Sequence, residues 1–433
     1  MEDFFMEKLF QLQQRGTTVR RELLAGLTTF LTMAYILAVN PGMLSLTGMP
    51  IGGVFTATAL SSAIACAFMA FLANLPIALA PGMGLNAFFT FSVVMGMGYS
   101  WQLALTAVFL EGLLFIVLSV FNVRKAIVEA IPANLKRAVA VGIGLFIALI
   151  GFANAGIVVN DGGTVISLGN LASPSPLLAF LGFVIIIVLY SIKVPGSILI
   201  GILATTIIGI VSGVTSIPEG WLPVSLPAAP LLFKFEFHNV LTLKFFTVFL
   251  TFLFVDIFDT VGTLVGVTTQ AGLIDKDGNI PKVNQALLSD SIGTVFGAAM
   301  GTSTVKSYVE STAGVAAGGK TGLTALSTGV LFLLALVLSP VFLLIPSFAT
   351  APALIFVGFL MMAPVVEIDF KDPTEGVPAF LAIVMMPFAY SIADGIQYGI
   401  LSYVLLKAIT GKFKDIPIVT WILAIVFVIK FFL

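Results

Sequence analysis

Phe252-Leu253-Phe254-Val255-Asp256-Ile257-Phe258-Asp259 places two carboxylates three residues apart inside a stretch otherwise apolar enough to cross a bilayer. At i and i+3 the two acids share one helix face. An acid at the bilayer centre costs about 2.5–3.5 kcal/mol on insertion scales, so such a pair marks a polar path or site. A third acid, Glu310, follows Gly301-Thr302-Ser303-Thr304, a run of weak helix formers. The three acids point to a protein that moves a polar solute.

The rest of the chain agrees with a membrane setting. Its 433 residues are 59% hydrophobic and 9% charged, with a mean hydropathy of +1.14. Soluble domains carry about 25% charged residues, so this is a polytopic membrane protein. A net charge of -1 without a basic arm argues against a nucleic-acid partner. The single cysteine, Cys66, cannot form an internal disulfide and reads as a small apolar filler. Met1 to Arg21 lacks the apolar run of a cleavable signal. It reads as a cytoplasmic amphipathic lead-in, with Phe4, Phe5, Leu9 and Phe10 on the membrane surface and Lys8, Arg15, Arg20 and Arg21 in water.

Apolar stretches of about 20 residues predict an all-α fold of fourteen crossings. Seven lie near 23–40, 54–76, 82–98, 101–121, 136–157, 176–193 and 196–216. Seven more lie near 246–268, 284–300, 303–319, 322–345, 350–366, 376–391 and 394–411. With the N-terminus cytoplasmic, the even connections hold Arg124, Lys125, Lys136, Arg137, Lys193, Lys276, Lys282, Lys320 and Lys371. Among the odd connections only the long one between the halves carries cations, Lys234 and Lys244, which is the positive-inside pattern. The apolar tail 412–433 is left as either interfacial or a further crossing.

The two halves echo one another. Ala179-Phe180-Leu181 and Tyr190-Ser191-Ile192 recur with the same spacing as Ala379-Phe380-Leu381 and Tyr390-Ser391-Ile392. Thr28-x-Phe30-Leu31-Thr32 is matched by Thr247-x-Phe249-Leu250-Thr251, a register that sets Asn40 opposite Asp259. Ile131-Pro132 is matched by Ile345-Pro346. Repeats in the same order indicate duplication, and an odd number of crossings per copy inverts the second. Inverted-repeat carriers place their substrate near the midplane, at interrupted helices. Here the interruptions are Pro81-Gly82-Met83-Gly84-Leu85-Asn86 in span 3 and Gly301-Thr302-Ser303-Thr304 in span 10, each expected to be a short extended stretch leading into a half-helix.

At these residues the chain resembles a known family. TTFLTMAYILAVNP (28–41), APGMGLNAF (80–88), FVDIFDTVGTL (254–264) and GTSTVKSYVESTAGVAAGGKTG (301–322) are similar to the AzgA branch of nucleobase transporters, proton-coupled permeases for adenine, guanine and hypoxanthine. The resemblance covers nearly the whole chain and implies a uracil-permease-like fold of 7+7 inverted repeats. It divides the chain into a cytoplasmic segment 1–22, core parts 23–121 and 246–345, gate parts 122–216 and 346–411, a linker 217–245 and the tail 412–433. It implies substrate contacts at Asp259, Glu310, Asn86 and Gly84, with Asp256 as the second acid of span 8. Lys306 departs from the small or hydroxyl residue expected before the Tyr-x-Glu motif. Lining the cavity, it would weaken Glu310 as a proton carrier; snorkelling away, it would not.

The residue chemistry fits a purine base. A carboxylate accepts two N–H donors at once, in hydrogen bonds about twice as strong as neutral ones, which suits Asp259 and Glu310 to the donor edge. The Asn86 amide and half-helix N–H groups suit the acceptors, and Phe254 or Tyr35 could stack on the ring. Glu310 or Asp256 is expected to carry the coupling proton, with no other cofactor and no metal. Glu111 reads as a structural acid, Asp290 as a helix cap, and His238 as a surface residue. The expected setting is the cell inner (plasma) membrane, with a purine base and the lipid bilayer as partners and a homodimer allowed. Alternatives are a uracil, xanthine or other small-solute carrier of the same fold, a channel, or, more remotely, an intramembrane enzyme.

Overall fold

The structure is a computed structural model that describes residues 2–121, 132–160, 166–238, 240–273 and 282–431. Arg124, Lys125, Ile131 and Lys276 fall outside the described residues, as do the side chains of Phe254 and Asp259. In order, the first part comprises α1 (Glu2–Phe10), α2 (Val19–Met33), α3 (Ile36–Ser45), α4 (Ile51–Phe68), β1 (Leu79–Pro81), α5 (Met83–Ala87) and α6 (Trp101–Val120). Next come α7 (Ala133–Asn154), a hairpin β2 (Val158–Val159) and β3 (Ser167–Leu168), α8 (Pro174–Ser191) and α9 (Ser197–Val211). The second part runs α10 (Leu243–Gln270), α11 (Val283–Met300), β4 (Val305–Ser307), α12 (Ser311–Ala316), α13 (Gly322–Ala335), α14 (Ser339–Leu343), α15 (Ser347–Leu360), α16 (Pro373–Phe388), α17 (Ile392–Ile409) and α18 (Ile418–Phe431).

The chain is mostly helical, and eight of its described helical segments are long and apolar enough to cross a membrane. Two of the other expected crossings, spans 3 and 10, are broken for a physical reason. Span 3 is divided between β1 and the helix Met83–Gly96, whose second part, Phe88–Gly96, is π-helical. Span 10 is β4 followed by the six residues of α12. Proline supplies part of the break: Pro81 forces Ala80 toward an extended conformation and removes a donor. The extended stretches lie beside the expected ones, at 79–81 where the sequence predicts 81–86 and at 305–307 where it predicts 301–304, and they meet.

β1 and β4 pair antiparallel, with Leu79 opposite Ser307, Ala80 opposite Lys306 and Pro81 opposite Val305. Non-helical backbone at membrane depth survives only if its polar groups are satisfied within the protein. Side chains do this here. The Leu79 N–H donates to Cys66 Sγ at 3.2 Å, and the Ala78 N–H to Ser311 Oγ at 3.0 Å. Thr294 Oγ1 donates to the Val305 carbonyl at 2.9 Å, and the Tyr308 hydroxyl to the Pro81 carbonyl at 2.5 Å. Cys66 is thus a hydrogen-bonding neighbour of the ribbon as well as a small packing residue.

Around the ribbon, α11 packs on α4 and α6, while α13 packs on α2 and α4. A second set of contacts joins α7 to α15 and α16, α16 to α17, and α8 to α9 and α15. The end of α11 is closed by Gly301, at φ +97, where a Cβ would lie 2.5 Å from Leu231 Cβ. Only glycine fits there. The 229–233 loop then donates from Leu231 N to Met300 O at 2.8 Å and from Phe233 N to Ala299 O at 2.7 Å, meeting carbonyls that the helix end leaves bare.

Within the N-terminal segment, Phe10 and Arg15 turn to the protein instead of to lipid and water. Phe10 is buried against Phe71, and Arg15 Nη1 donates to the carbonyls of Asn74 at 3.0 Å and Lys320 at 2.9 Å. Glu22 completes the tie. Fully buried, it accepts from Lys320 N, Thr321 N, Thr321 Oγ1 and Thr324 Oγ1 at 2.6–3.2 Å, capping α13 from 300 residues away in sequence.

Candidate substrate site

The ribbon leads into the short helices that carry three of the sequence-predicted residues. Directly after β1, α5 carries Gly84 and Asn86; directly after β4 come Tyr308 and Glu310, the latter at the start of α12. Asn86 is fully buried. Its Oδ1 accepts a hydrogen bond from Ser303 Oγ, while its Nδ2 finds no acceptor among the described residues. A buried donor in that state costs about 1–3 kcal/mol, which a ligand's acceptor would relieve. Gly84 lies two residues earlier and therefore on another face. A Cβ there would meet Ile143 Cγ2 on α7 at 2.7 Å, so this glycine lets α7 approach.

Glu310 is half-buried and accepts from the Tyr35 hydroxyl at 2.7 Å through Oε1. Tyr35 sits at the junction of α2 and α3 and is itself buried, so it fixes the carboxylate's orientation. Of the two candidate aromatics, Tyr35 thus meets an acid, and the side chain of Phe254 lies outside the described residues.

Asp256 turns elsewhere. It is fully buried, and Thr260 Oγ1, one turn on, lies 3.1 Å from Asp256 Oδ1 and 3.0 Å from Asp290 Oδ2. A hydroxyl has one proton to donate. Both contacts are satisfied together only when one of the two acids carries a proton of its own. Asp290 is thus no helix cap: it lies in the middle of α11, fully buried, facing α10. Its flanking serines suggested a cap, but Ser291 Oγ bonds back to the Leu287 carbonyl at 2.8 Å and Ser289 Oγ to the Gln285 carbonyl at 2.8 Å. Glu111 is also nearer the site than expected, accepting from Thr304 Oγ1 at 3.0 Å, one residue before β4. Neither acid had a signal in the local sequence beyond being a carboxylate in an apolar run. Asp259 is on the same helix as Asp256, with its side chain outside the described residues. Asn40, its repeat partner, donates to Thr58 Oγ1 at 2.7 Å and Thr302 Oγ1 at 2.9 Å, bracing the break before β4.

Lys306 stays at the crossing. Its backbone pairs with Ala80, and its stem covers Gly82, where a Cβ would lie 2.6 Å from Lys306 Cε. No group of three or more His, Cys, Asp or Glu with metal-binding geometry occurs among the described residues. A separate cavity of about 300 Å³, lined by Leu149, Val158, Asn160, Pro387, Phe388 and Tyr390, lies beside the β2–β3 hairpin and contains none of these acids.

Two broken helices crossing through a paired ribbon, with acids on both sides, are the arrangement of a carrier. Residues 20–398 match the Permease family (Xan_ur_permease). The chain belongs to that family. Adenine permease AdeQ of Escherichia coli is 44% identical over 434 residues, covering 99% of this chain and 96% of its own. Guanine/hypoxanthine permease PbuG of Bacillus subtilis is 45% identical, covering 98% of this chain and 99% of its own. Among solved structures, the transmembrane domain of a cyanobacterial bicarbonate transporter, BicA, aligns with a TM-score of 0.66 at 20% identity, covering 87% of this chain and 97% of that one. That likeness concerns the fold. The resemblance to purine permeases holds over nearly the full length of this permease, and the family and these relatives are transporters, not enzymes.

Proposed function

We propose that this permease is a secondary active carrier that imports purine nucleobases (hypoxanthine, guanine and/or adenine) by proton symport. The observation that carries the reading is the crossing itself: Glu310, oriented by Tyr35, and Asn86, with an unused buried donor, stand on half-helices joined through one ribbon. In the proposed mode Asp259 and Glu310 accept from the donor edge of a neutral base. Asn86 Nδ2 donates to an acceptor, and Gly84 admits the neighbouring helix. The names of the relatives, one an adenine permease and one a guanine/hypoxanthine permease, support the substrate class.

Fourteen crossings in a 7+7 inverted repeat, with the N-terminus cytoplasmic in the inner membrane, complete the proposal. So do a core of 23–121 and 246–345 and a gate of 122–216 and 346–411. The packing of α2, α4, α6, α11 and α13 around the ribbon, and of α7, α8, α9, α15, α16 and α17 with one another, supports that division. Coupling rests on charge. A dry site cannot carry an uncompensated carboxylate across the occluded state without a large desolvation cost. A proton on Glu310, or on the acids flanking Thr260, removes that charge before the base is enclosed.

The test is uptake of labelled hypoxanthine into proteoliposomes with and without an inward proton gradient, with adenine, guanine, xanthine and uracil as competitors. Purines should compete and the gradient should drive accumulation. Asp259→Asn and Glu310→Gln should abolish accumulation. Counterflow is expected of a carrier and not of a channel. Preference for uracil or xanthine, or indifference to the gradient, would overturn the reading.

A further inference from the structure

The residue that the proposed mechanism leaves unused is Lys306. It occupies the middle position of β4, opposite Ala80, at the point where the two broken helices cross. Its Cγ, Cδ and Cε lie 2.9, 2.7 and 2.6 Å from the place a Cβ on Gly82 would take, so the absence of a side chain at Gly82 is what seats the lysine stem. The stem thus lies over Gly82, directly before the helix Met83–Gly96, and the residue is partly exposed. That place is electrostatically wrong for a cation, because the positive end of the helix macrodipole is there. A cation set against that end breaks a local rule, and such breaks are expected at functional sites.

The groups around it supply the reason. Glu310 lies four residues on, bonded to Tyr35, with Tyr308 between. Glu111 is bonded to Thr304, two residues before Lys306. From the helices packed against β4, α10 brings Asp256 and Asp259, α11 brings Asp290, and α4 brings the Cys66 thiol, bonded to Leu79. Carboxylates predominate on the elements next to β4, and Lys306 is the cationic residue of the ribbon itself.

We infer that Lys306 is a fixed counter-charge of the substrate site, standing in for one proton that the acids would otherwise take up with each base. The inference rests on the nucleobase-carrier reading and refines how that carrier is coupled. An ammonium that travels with the site compensates one carboxylate in every state, so the number of protons moved per base is one lower than the acids alone require. Replacing Lys306 by a neutral residue therefore raises that number by one and makes transport more dependent on acid.

The measurement is the null point. In proteoliposomes clamped at zero membrane potential with a pH difference of one unit, the hypoxanthine gradient giving zero net flux is about ten-fold for each proton carried. Lys306→Met is expected to balance a gradient ten-fold steeper than the unaltered permease does, and Lys306→Arg the same gradient. Proton uptake on hypoxanthine binding, followed with an indicator dye in weakly buffered detergent solution, gives the same count without transport. Equal null points and equal proton uptake in Lys306→Met and the unaltered permease would overturn the inference. So would loss of binding in both Lys306→Met and Lys306→Gln at unchanged melting temperature and acid pH, since a proton should then replace the ammonium. The symport reading fails separately. A flat null point in the unaltered permease with a ten-fold one in Lys306→Met would refute symport and sustain the role of Lys306.

Discussion

Gly84→Ala isolates one contact between the substrate half-helix and α7. The new methyl would lie 2.7 Å from Ile143 Cγ2, against 3.4–4 Å for an ordinary van der Waals contact, so about 1 Å of retreat is required. Ile143 is only 2% exposed and β-branched, so it has little freedom to swing aside. Overpacking of this kind costs about 1–3 kcal/mol. At about 1.4 kcal/mol per factor of ten, that is a five- to 150-fold loss of the arrangement in which α5 and α7 touch. The assay is initial uptake of labelled hypoxanthine, normalised to membrane expression, with melting temperature followed in detergent. Uptake should fall by that range in Gly84→Ala. The double variant Gly84→Ala/Ile143→Ala should recover most of that loss, because the clashing methyl is gone and the alanine methyl fills part of the space it leaves. If Ile143→Ala gives no recovery, the steric reasoning is wrong, and Gly84 matters through some other contact, the base itself foremost.

Tyr35→Phe deletes the hydroxyl that holds Glu310 Oε1 at 2.7 Å. Hydrogen bonds to charged groups are worth about 1.5–3 kcal/mol, so KM for hypoxanthine should rise at least ten-fold with surface expression retained; an unchanged KM would remove Glu310's orientation from the account. Glu22→Ala leaves two backbone N–H groups and two hydroxyls at the start of α13 without their acceptor. About 3–5 kcal/mol of stability should be lost, read as a melting temperature far below that of Arg20→Ala; comparable melting of the two variants would contradict it. At the cytoplasmic end proposed for α16, Lys412 and Thr374 hold the Asp372 carboxyl down to about pKa 2. A folded-state value below the ordinary carboxylate range gives a contribution that is complete above about pH 4 and lost as pH falls toward 2. Melting temperature should accordingly decline more steeply between pH 4 and 2.5 in the unaltered permease than in Asp372→Asn, and parallel curves would refute the linkage.

Much of this molecule was legible in local sequence. Composition alone sets it in a bilayer. Proline, glycine and β-branched residues at 81–86 and 301–304 announce two broken helices, because each of those residue types disfavours helix for its own steric reason. Carboxylates inside apolar runs mark the proposed site, since such placement is costly in a bilayer. Sequence spacing reports only which residues share a face of one element, so the meetings of elements had to come from the tertiary structure. The pairing of Leu79 with Ser307, the turn of Asp290 toward Thr260, and the reach of Glu22 to Thr321 join positions 30 to 299 residues apart. Phe10 and Arg15 show the same limit: their amphipathic pattern fits a membrane surface or a protein surface equally well. The packing of α4 and α13 brings the carbonyls of Asn74 and Lys320 to Arg15, a meeting that spacing along the chain does not report.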